Sequence, residues 1–191
     1  MIEIIAPSEF KTIPWKNGKG ETIEVAINKG GTLDKFDWRL SMASVVEDGE
    51  FSDFSGYFRN LVLIKGRDIE LHHDNTRVDR LIDLLDLASF DGGCTTLGKL
   101  NSGPITDFNV ITNSARYDAD VSTYLERQSV ELAPCDLCFV YCLDGRAILE
   151  AGQSGEPATE LSAGHLLQMS ALTAPGKITG QKMIVIRLIA K

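Results

Sequence analysis

At 191 residues, with 43% hydrophobic and 24% charged side chains, the chain has an ordinary globular composition that excludes disordered and fibrous classes. Its 27 acidic side chains outnumber 19 basic ones, and the formal net charge of -8 disfavours a phosphate backbone, so no nucleic-acid partner is expected. The N-terminal residues lack a basic segment leading into a long apolar one, and no stretch approaches about 18 uninterrupted apolar residues, so no membrane association and a cytoplasmic location are expected.

In chain order, runs of β-branched and aromatic residues between Gly, Asn, Asp and Pro clusters predict strands over 10–15, 21–28, 37–45, 57–65 and 69–73. The same pattern resumes over 105–112, 121–126, 129–133, 137–143, 146–151, 166–170 and 182–190. Between the two runs, Val78, Leu81, Ile82, Leu84 and Leu85 follow helical spacing, which leaves a helical turn open within 77–87. Turns are marked at Asn17-Gly18, Gly30-Gly31, Asp91-Gly92-Gly93, Asp144-Gly145 and 152–155, where small residues tolerate positive φ. The strands 137–143 and 146–151 are expected to pair as a hairpin about Asp144-Gly145, and 161–166 forms a further strand-turn-strand unit.

A ladder of short strands of this kind predicts an all-β barrel or sandwich, and the length fits one domain over 1–191 built from two weakly similar β modules. The seam is expected near residue 112, with an N-terminal module over about 1–112 and a C-terminal one over about 113–191. Within 38–43 the alternation is clean: Trp38, Leu40 and Met42 share one face, and Arg39, Ser41 and Ala43 the other. In a barrel wide enough for a ligand the inward face can be polar, so Arg39 and Ser41 either line a cavity or face solvent.

The four cysteines are few for a secreted scaffold, and Cys135, Cys138 and Cys142 crowd into one segment, so reduced thiols are expected. A zinc ribbon would need a second pair beside Cys135-x-x-Cys138, and only the distant Cys94 and His165 offer further soft ligands. Cys138 and Cys142 share strand parity, which suits small buried hydrophobes at least as well.

Five blocks in fixed order carry a family resemblance: 15–22 (Trp-Lys-Asn-Gly-Lys-Gly-Glu-Thr), 38–45 (Trp-Arg-Leu-Ser-Met-Ala-Ser-Val), 48–59 from Asp48 to Arg59, Phe90-Asp91-Gly92, and 103–110 from Gly103 to Val110. Together they resemble the HutD/Ves family. The resemblance implies a double cupin of the RmlC-like type in one chain, an association with histidine utilisation or stress response, and no settled activity. The sequence departs from the commonest family pattern at Lys19, where Gly is usual, and at Ser55, where Pro is usual, which leaves local loop shape open.

A metal-bearing cupin is similar to a pattern of His-x-His, a Glu some residues on, and a Gly that ends the strand pair. The corresponding positions here read Ser52-x-Phe54, Arg59 and Gly66. A phenyl ring cannot ligate and a guanidinium repels a divalent cation, so no metal or other cofactor is expected. His72 and His73 are sequential on a strand and point to opposite faces, and His165 sits in a turn of the second module.

Without a metal, the chemistry of the site falls to fixed donors. Arg39 and Arg59, on neighbouring barrel strands, make a fork for a carboxylate, with Asn17, Thr22, Ser41, Asp107 and Asn109 as further polar contacts and Trp15 as an aromatic wall. The expected partner is a small carboxylate metabolite. Equally open is a structural role, with Arg39 or Arg59 paired to Asp107 or Asp53, Asn17-Gly18 serving as a turn, and Trp15 and Trp38 in the core. Two other functions compete: a metal-independent isomerase or lyase with Asp107 or His165 as general base, and a protein-interaction module whose strand edges form a homodimer.

Overall fold

A computed structural model of the chain describes residues 1–15, 20–150 and 158–191. Asn17 with its Asn17-Gly18 turn, Lys19, and the turn expected at 152–155 lie outside the described residues. Apart from a 3-10 turn at Pro7–Glu9, the regular structure among the described residues is all β.

The chain opens with β1 (Ile2–Ile5), followed by β2 (Lys11–Pro14), β3 (Glu21–Ile27), β4 (Trp38–Val45), β5 (Gly49–Glu50) and β6 (Tyr57–Lys65). Next come β7 (Ile69–His73), β8 (Arg77–Leu81), β9 (Leu87–Asp91), β10 (Thr96–Leu100) and β11 (Ile105–Asn113). The remainder comprises β12 (Tyr117–Tyr124), β13 (Gln128–Leu132), β14 (Cys135–Cys142), β15 (Arg146–Glu150), β16 (Thr159–Ser162), β17 (Leu166–Leu172), β18 (Gly176–Gly180) and β19 (Met183–Ala190).

These strands form two compact units, one over Phe10–Tyr117 and one over Asp118–Lys191 together with Met1–Glu9. The division thus falls a few residues after the seam expected near 112, and the N-terminal strand goes with the later unit, because β1 pairs with β17 from Ile2↔Met169 to Ile5↔Leu166. Edge pairing across the length of a chain leaves no trace in local sequence.

In the Phe10–Tyr117 unit a six-stranded sheet runs β2-β3-β4-β11-β6-β9 and a four-stranded sheet runs β5-β10-β7-β8. Leu61, Leu63, Ala88, Phe90 and Ile105 of the first sheet meet Ile69, Leu71 and Leu81 of the second in a dry core. Burying such side chains contributes roughly 1.5–3 kcal/mol each. β4 is buried on both faces over its first half, Trp38–Ser41, and β6 over its central residues, Arg59–Ile64, so the polar residues among them are held inside the molecule.

The other unit repeats the plan, with a five-stranded sheet β1-β17-β14-β19-β12 and a four-stranded sheet β13-β18-β15-β16. Leu132, Val140, Leu149, Leu161, Leu167 and Ile178 fill it, together with Cys138 and Cys142.

Two local expectations are corrected. Residues 77–87 hold no helical turn but β8 and the approach to β9, since Leu81 and Leu85 are buried while Val78 and Ile82 stay exposed. The strands around Asp144-Gly145 are not a hairpin: β14 pairs with β17 and β19, whereas β15 pairs with β16 and β18. Gly145, at φ 77, takes the chain round a corner from one sheet to the other, so that Cys142 and Ala147 point into the same core.

Candidate functional site

The six-stranded sheet sets the site through register. Ile111 on β11 stands opposite Arg39 on β4 and opposite Arg59 on β6, and two residues along, Asn109 stands opposite Ser41 and Leu61. Paired residues of a ladder project to the same face, so Arg39, Ser41, Arg59, Asn109 and Asp107 share one face, with Thr22 and Glu24 on β3 opposite Ala43 and Ser41. Bulges interrupt β3 between Glu24 and Ala26 and the β11–β6 ladder at Thr106/Asp107. Such irregularities re-aim side chains beside a site.

This face opens into a cavity of about 670 Å³, within the size range of small-molecule sites. Of the residues singled out in the sequence, Trp15, Thr22, Arg39, Ser41, Arg59 and Asn109 line it. Asp107 does not; it is completely buried beside Asn109. Trp15 is held to the wall by its indole Nε1, which donates to Thr22 Oγ1 at 2.8 Å.

The two guanidiniums differ in partnership. Arg39 Nε donates to Glu24 Oε2 at 2.8 Å, an ion pair that leaves little net charge at that end. Neither Asp107 nor Asp53 makes an ion pair with either arginine among the described residues.

Arg59 is only 4% exposed and, among the described residues, has no carboxylate in hydrogen-bond contact. Its Nη2 donates to Asn109 Oδ1 at 2.8 Å and its Nη1 to the Ser52 carbonyl at 3.3 Å, while Nε has no hydrogen-bond partner among the described residues. Three rings surround the cation, with the guanidinium carbon 5.3 Å from the Phe51 centroid, 5.4 Å from Phe54 and 5.3 Å from Phe90. Ring faces attract a cation but cannot replace hydration, and burial pulls the Arg59 pKa down to about 10 against the opposing pull of Asp107.

Behind Arg59, Asn109 Nδ2 donates to Asp107 Oδ1 at 2.5 Å, which fixes the amide with its carbonyl toward the arginine. Asp107 Oδ2 has no hydrogen-bond partner among the described residues. Burial raises the Asp107 carboxyl to about 7, with Arg59, Asn109 and a hydrogen bond from the Ala43 backbone pulling the other way.

Glu24 and the box of Phe51, Phe54 and Phe90 were not among the residues singled out. The parity of Thr22 and Glu24 on one strand was a usable signal for the first; nothing local marked the rings as a cation box. Gly98 makes room for that box, since a Cβ there would lie 2.6 Å from Phe51 Cε2.

The positions corresponding to cupin metal ligands are Ser52, Phe54 and Arg59, all at the cavity wall. A ring, a cation and a hydroxyl do not form a donor set for a divalent ion. Gly66 ends its strand at φ 80, with Pro104 O where a Cβ would have to go. At the departure from the family pattern, the Ser55 backbone N–H and hydroxyl both donate to Asp53 Oδ1 at 2.8 Å, a turn that proline could not close in this way.

The later unit contains a smaller cavity of about 310 Å³, where Arg187 is paired with Asp120. Cys135 borders the core that holds Cys138 and Cys142; all are free thiols, and a side-chain hydrogen bond with Cys135, reinforced by burial, raises the Cys138 thiol above its ordinary range. His165 lines neither cavity, and its Nδ1 lies 3.0 Å from the Ala163 carbonyl oxygen. His73 is buried against Phe90 and bonded through Nδ1 to Thr96 Oγ1, while His72 faces the other way toward Glu70.

Two two-sheet β units with a lined hollow in the first define an all-β double cupin. A family model described as HutD matches residues 7–186, and the chain belongs to the HutD family. It is 36% identical over 118 residues to an uncharacterized 21.2 kDa protein in the hutC 3′ region of Pseudomonas putida, covering 62% of each chain. It is also 37% identical over 99 residues to Protein Ves of Escherichia fergusonii, covering 51% of each. The chain thus spans about half to three fifths of the length of the curated relatives it matches. Among solved structures, HutD from Pseudomonas fluorescens SBW25, described as a formate condition, superposes with a TM-score of 0.84 at 28% identity over 100% of both chains.

Proposed function

We propose that the chain is a metal-independent cupin that binds a small carboxylate metabolite in the cavity of its first unit, with Arg59 as the principal donor. The observation that carries this reading is the state of Arg59: a cation nine-tenths buried at a cavity wall and, among the described residues, held by an amide and a carbonyl and not by a carboxylate. A buried cation whose counter-charge, Asp107, stands one amide away is costly, and a ligand carboxylate in the cavity supplies a direct charge-assisted contact. Arg39, tied to Glu24, and Ser41 contribute orientation and a hydroxyl, while Trp15 closes one wall with an apolar ring.

The relatives favour a role in histidine utilisation, since one is described by its place in the hutC 3′ region. The general-base reading is less well supported, because neither Asp107 nor His165 lies on the cavity wall where a proton would be exchanged. The test is calorimetric titration with N-formylglutamate and urocanate, backed by thermal shift. Saturable heat and a raised melting temperature with either acid are expected; neither heat nor shift with both acids would defeat the reading.

A further inference from the structure

We propose that Asp107 is the positioning residue and proton acceptor of this site, so that capture of an anion at Arg59 is accompanied by uptake of a proton on the buried carboxylate behind it. The inference rests on the carboxylate reading above and adds the regulation of the same site by pH.

The geometry is a three-member chain. Asp107 Oδ1 accepts from Asn109 Nδ2 at 2.5 Å, and Asn109 Oδ1 accepts from Arg59 Nη2 at 2.8 Å. Asp107 and Asn109 are two residues apart on β11 and share a face, so the amide stands between anion and cation as a spacer. Asp107 is 0% exposed and its Oδ2 has no hydrogen-bond partner among the described residues. In a dry interior such a carboxylate stays ionised through the nearby positive charge of Arg59, helped by hydrogen bonds from the Asn109 amide and the Ala43 backbone.

The charges that face it can be named strand by strand. β6 supplies Arg59, and β4 supplies Arg39, which is neutralised by Glu24 on β3. On β9 the inward residues are Ala88 and Phe90; the four-stranded sheet contributes His73, which stacks on Phe90, bonds Thr96 and lies 3.2 Å from Asp79 Oδ2, and Glu47, Asp48 and Glu50 line the cavity itself. Arg59 is therefore the cation on which the ionised state of Asp107 depends.

An arriving anion shares that cation. With the cavity empty, Arg59 and Asp107 balance; with a carboxylate at Arg59, one negative charge is in excess inside a low-dielectric wall. The position in shortest supply of compensation is Asp107, already held near neutrality by burial at about 7, so it takes the proton. By linkage, a ligand that raises proton affinity must itself bind more tightly where protons are plentiful.

The experiment is calorimetric titration of the full chain with N-formylglutamate, whose carboxylates stay ionised across the range, in buffers of different ionisation enthalpy. Uptake approaching one proton is expected at about pH 8 and little at about pH 5.5, with affinity falling up to about tenfold per pH unit above about pH 7. Asp107→Asn is expected to bind without proton uptake, at an affinity that no longer varies with pH. Binding by the wild-type chain at about pH 8 with no proton uptake overturns the inference and leaves the carboxylate reading standing. Absence of binding at every pH overturns both. The wild-type titration decides the matter even if the variant does not fold.

Discussion

Arg39 and Arg59 stand opposite the same residue, Ile111, one on each strand flanking β11, and so project from one face of the sheet with a single strand between them. Strand spacing of about 4.8 Å puts their Cα atoms roughly 10 Å apart, within which a small dianion or an acid with a polar tail can reach both. Their surroundings assign them different tasks. Arg39 has an internal carboxylate in Glu24, and Arg59 has aromatic rings and an amide.

Replacing Arg59 by Met should therefore separate binding from stability. The variant keeps volume and contact with Phe51, Phe54 and Phe90 while discarding a desolvated cation, and at about pH 5.5, where Asp107 holds its proton, no buried charge is left unpaired and stability should be largely kept. Loss of a charge-assisted contact should weaken N-formylglutamate by about 1.5–3 kcal/mol, roughly 10- to 150-fold. Thermal unfolding and calorimetry on the same preparation check both halves, and an unchanged affinity would remove Arg59 from the site.

Asn109→Asp probes the same charge from the side. The substitution preserves size but places a carboxylate in contact with Arg59, where the wild-type chain offers a neutral carbonyl at 2.8 Å. An internal anion should occupy the role of the ligand, and binding of any small carboxylate should fall at least about tenfold at neutral pH. Retained affinity would mean that the ligand charge is met elsewhere.

Much of this site was legible beforehand because strand parity is a strict rule. Arg39 and Ser41 alternate with Trp38 and Leu40, and that pattern alone put both polar residues on one face. Relations that depend on pairing between distant strands were not legible: that Arg39 meets Glu24 follows from the β3–β4 register and its bulge. The corner at Asp144-Gly145 failed for a related reason, since a two-residue turn with glycine can close a hairpin or turn between sheets, and only the partners of β14 and β15 decide. Strands β10 and β18 were not legible, since glycine is depleted in strands and Gly98 and Gly180 stand there for close packing that only the fold reveals.

Gly98→Ala tests one such packing glycine at the site. The added methyl would sit 2.6 Å from Phe51 Cε2, and the ring must shift away from its place over Arg59. Overpacking of this kind costs about 1–3 kcal/mol of stability, and carboxylate affinity should fall as the cation box loosens. Denaturant unfolding with parallel titration reads both, and an unaltered affinity beside lowered stability would show that the Phe51 ring contributes nothing to the site.

The last expectation concerns stability against pH. Asp107 has a folded-state pKa raised to about 7, above the ordinary carboxylate value of 3.8, because burial outweighs the pull of Arg59. A group raised in this way contributes fully below its unfolded pKa, and the contribution is lost as pH rises through the folded one. Between about pH 4 and about pH 7 this residue therefore makes the fold progressively less stable, by up to about 4 kcal/mol at 1.36 kcal/mol per unit. Asp107→Asn removes the ionisation, so its stability relative to the wild-type chain should rise steadily across that interval and level off above it. Urea unfolding of both proteins at several pH values measures the difference, and a gap that stays constant, or narrows as pH increases, would mean that Asp107 is ionised as easily in the fold as in the unfolded chain.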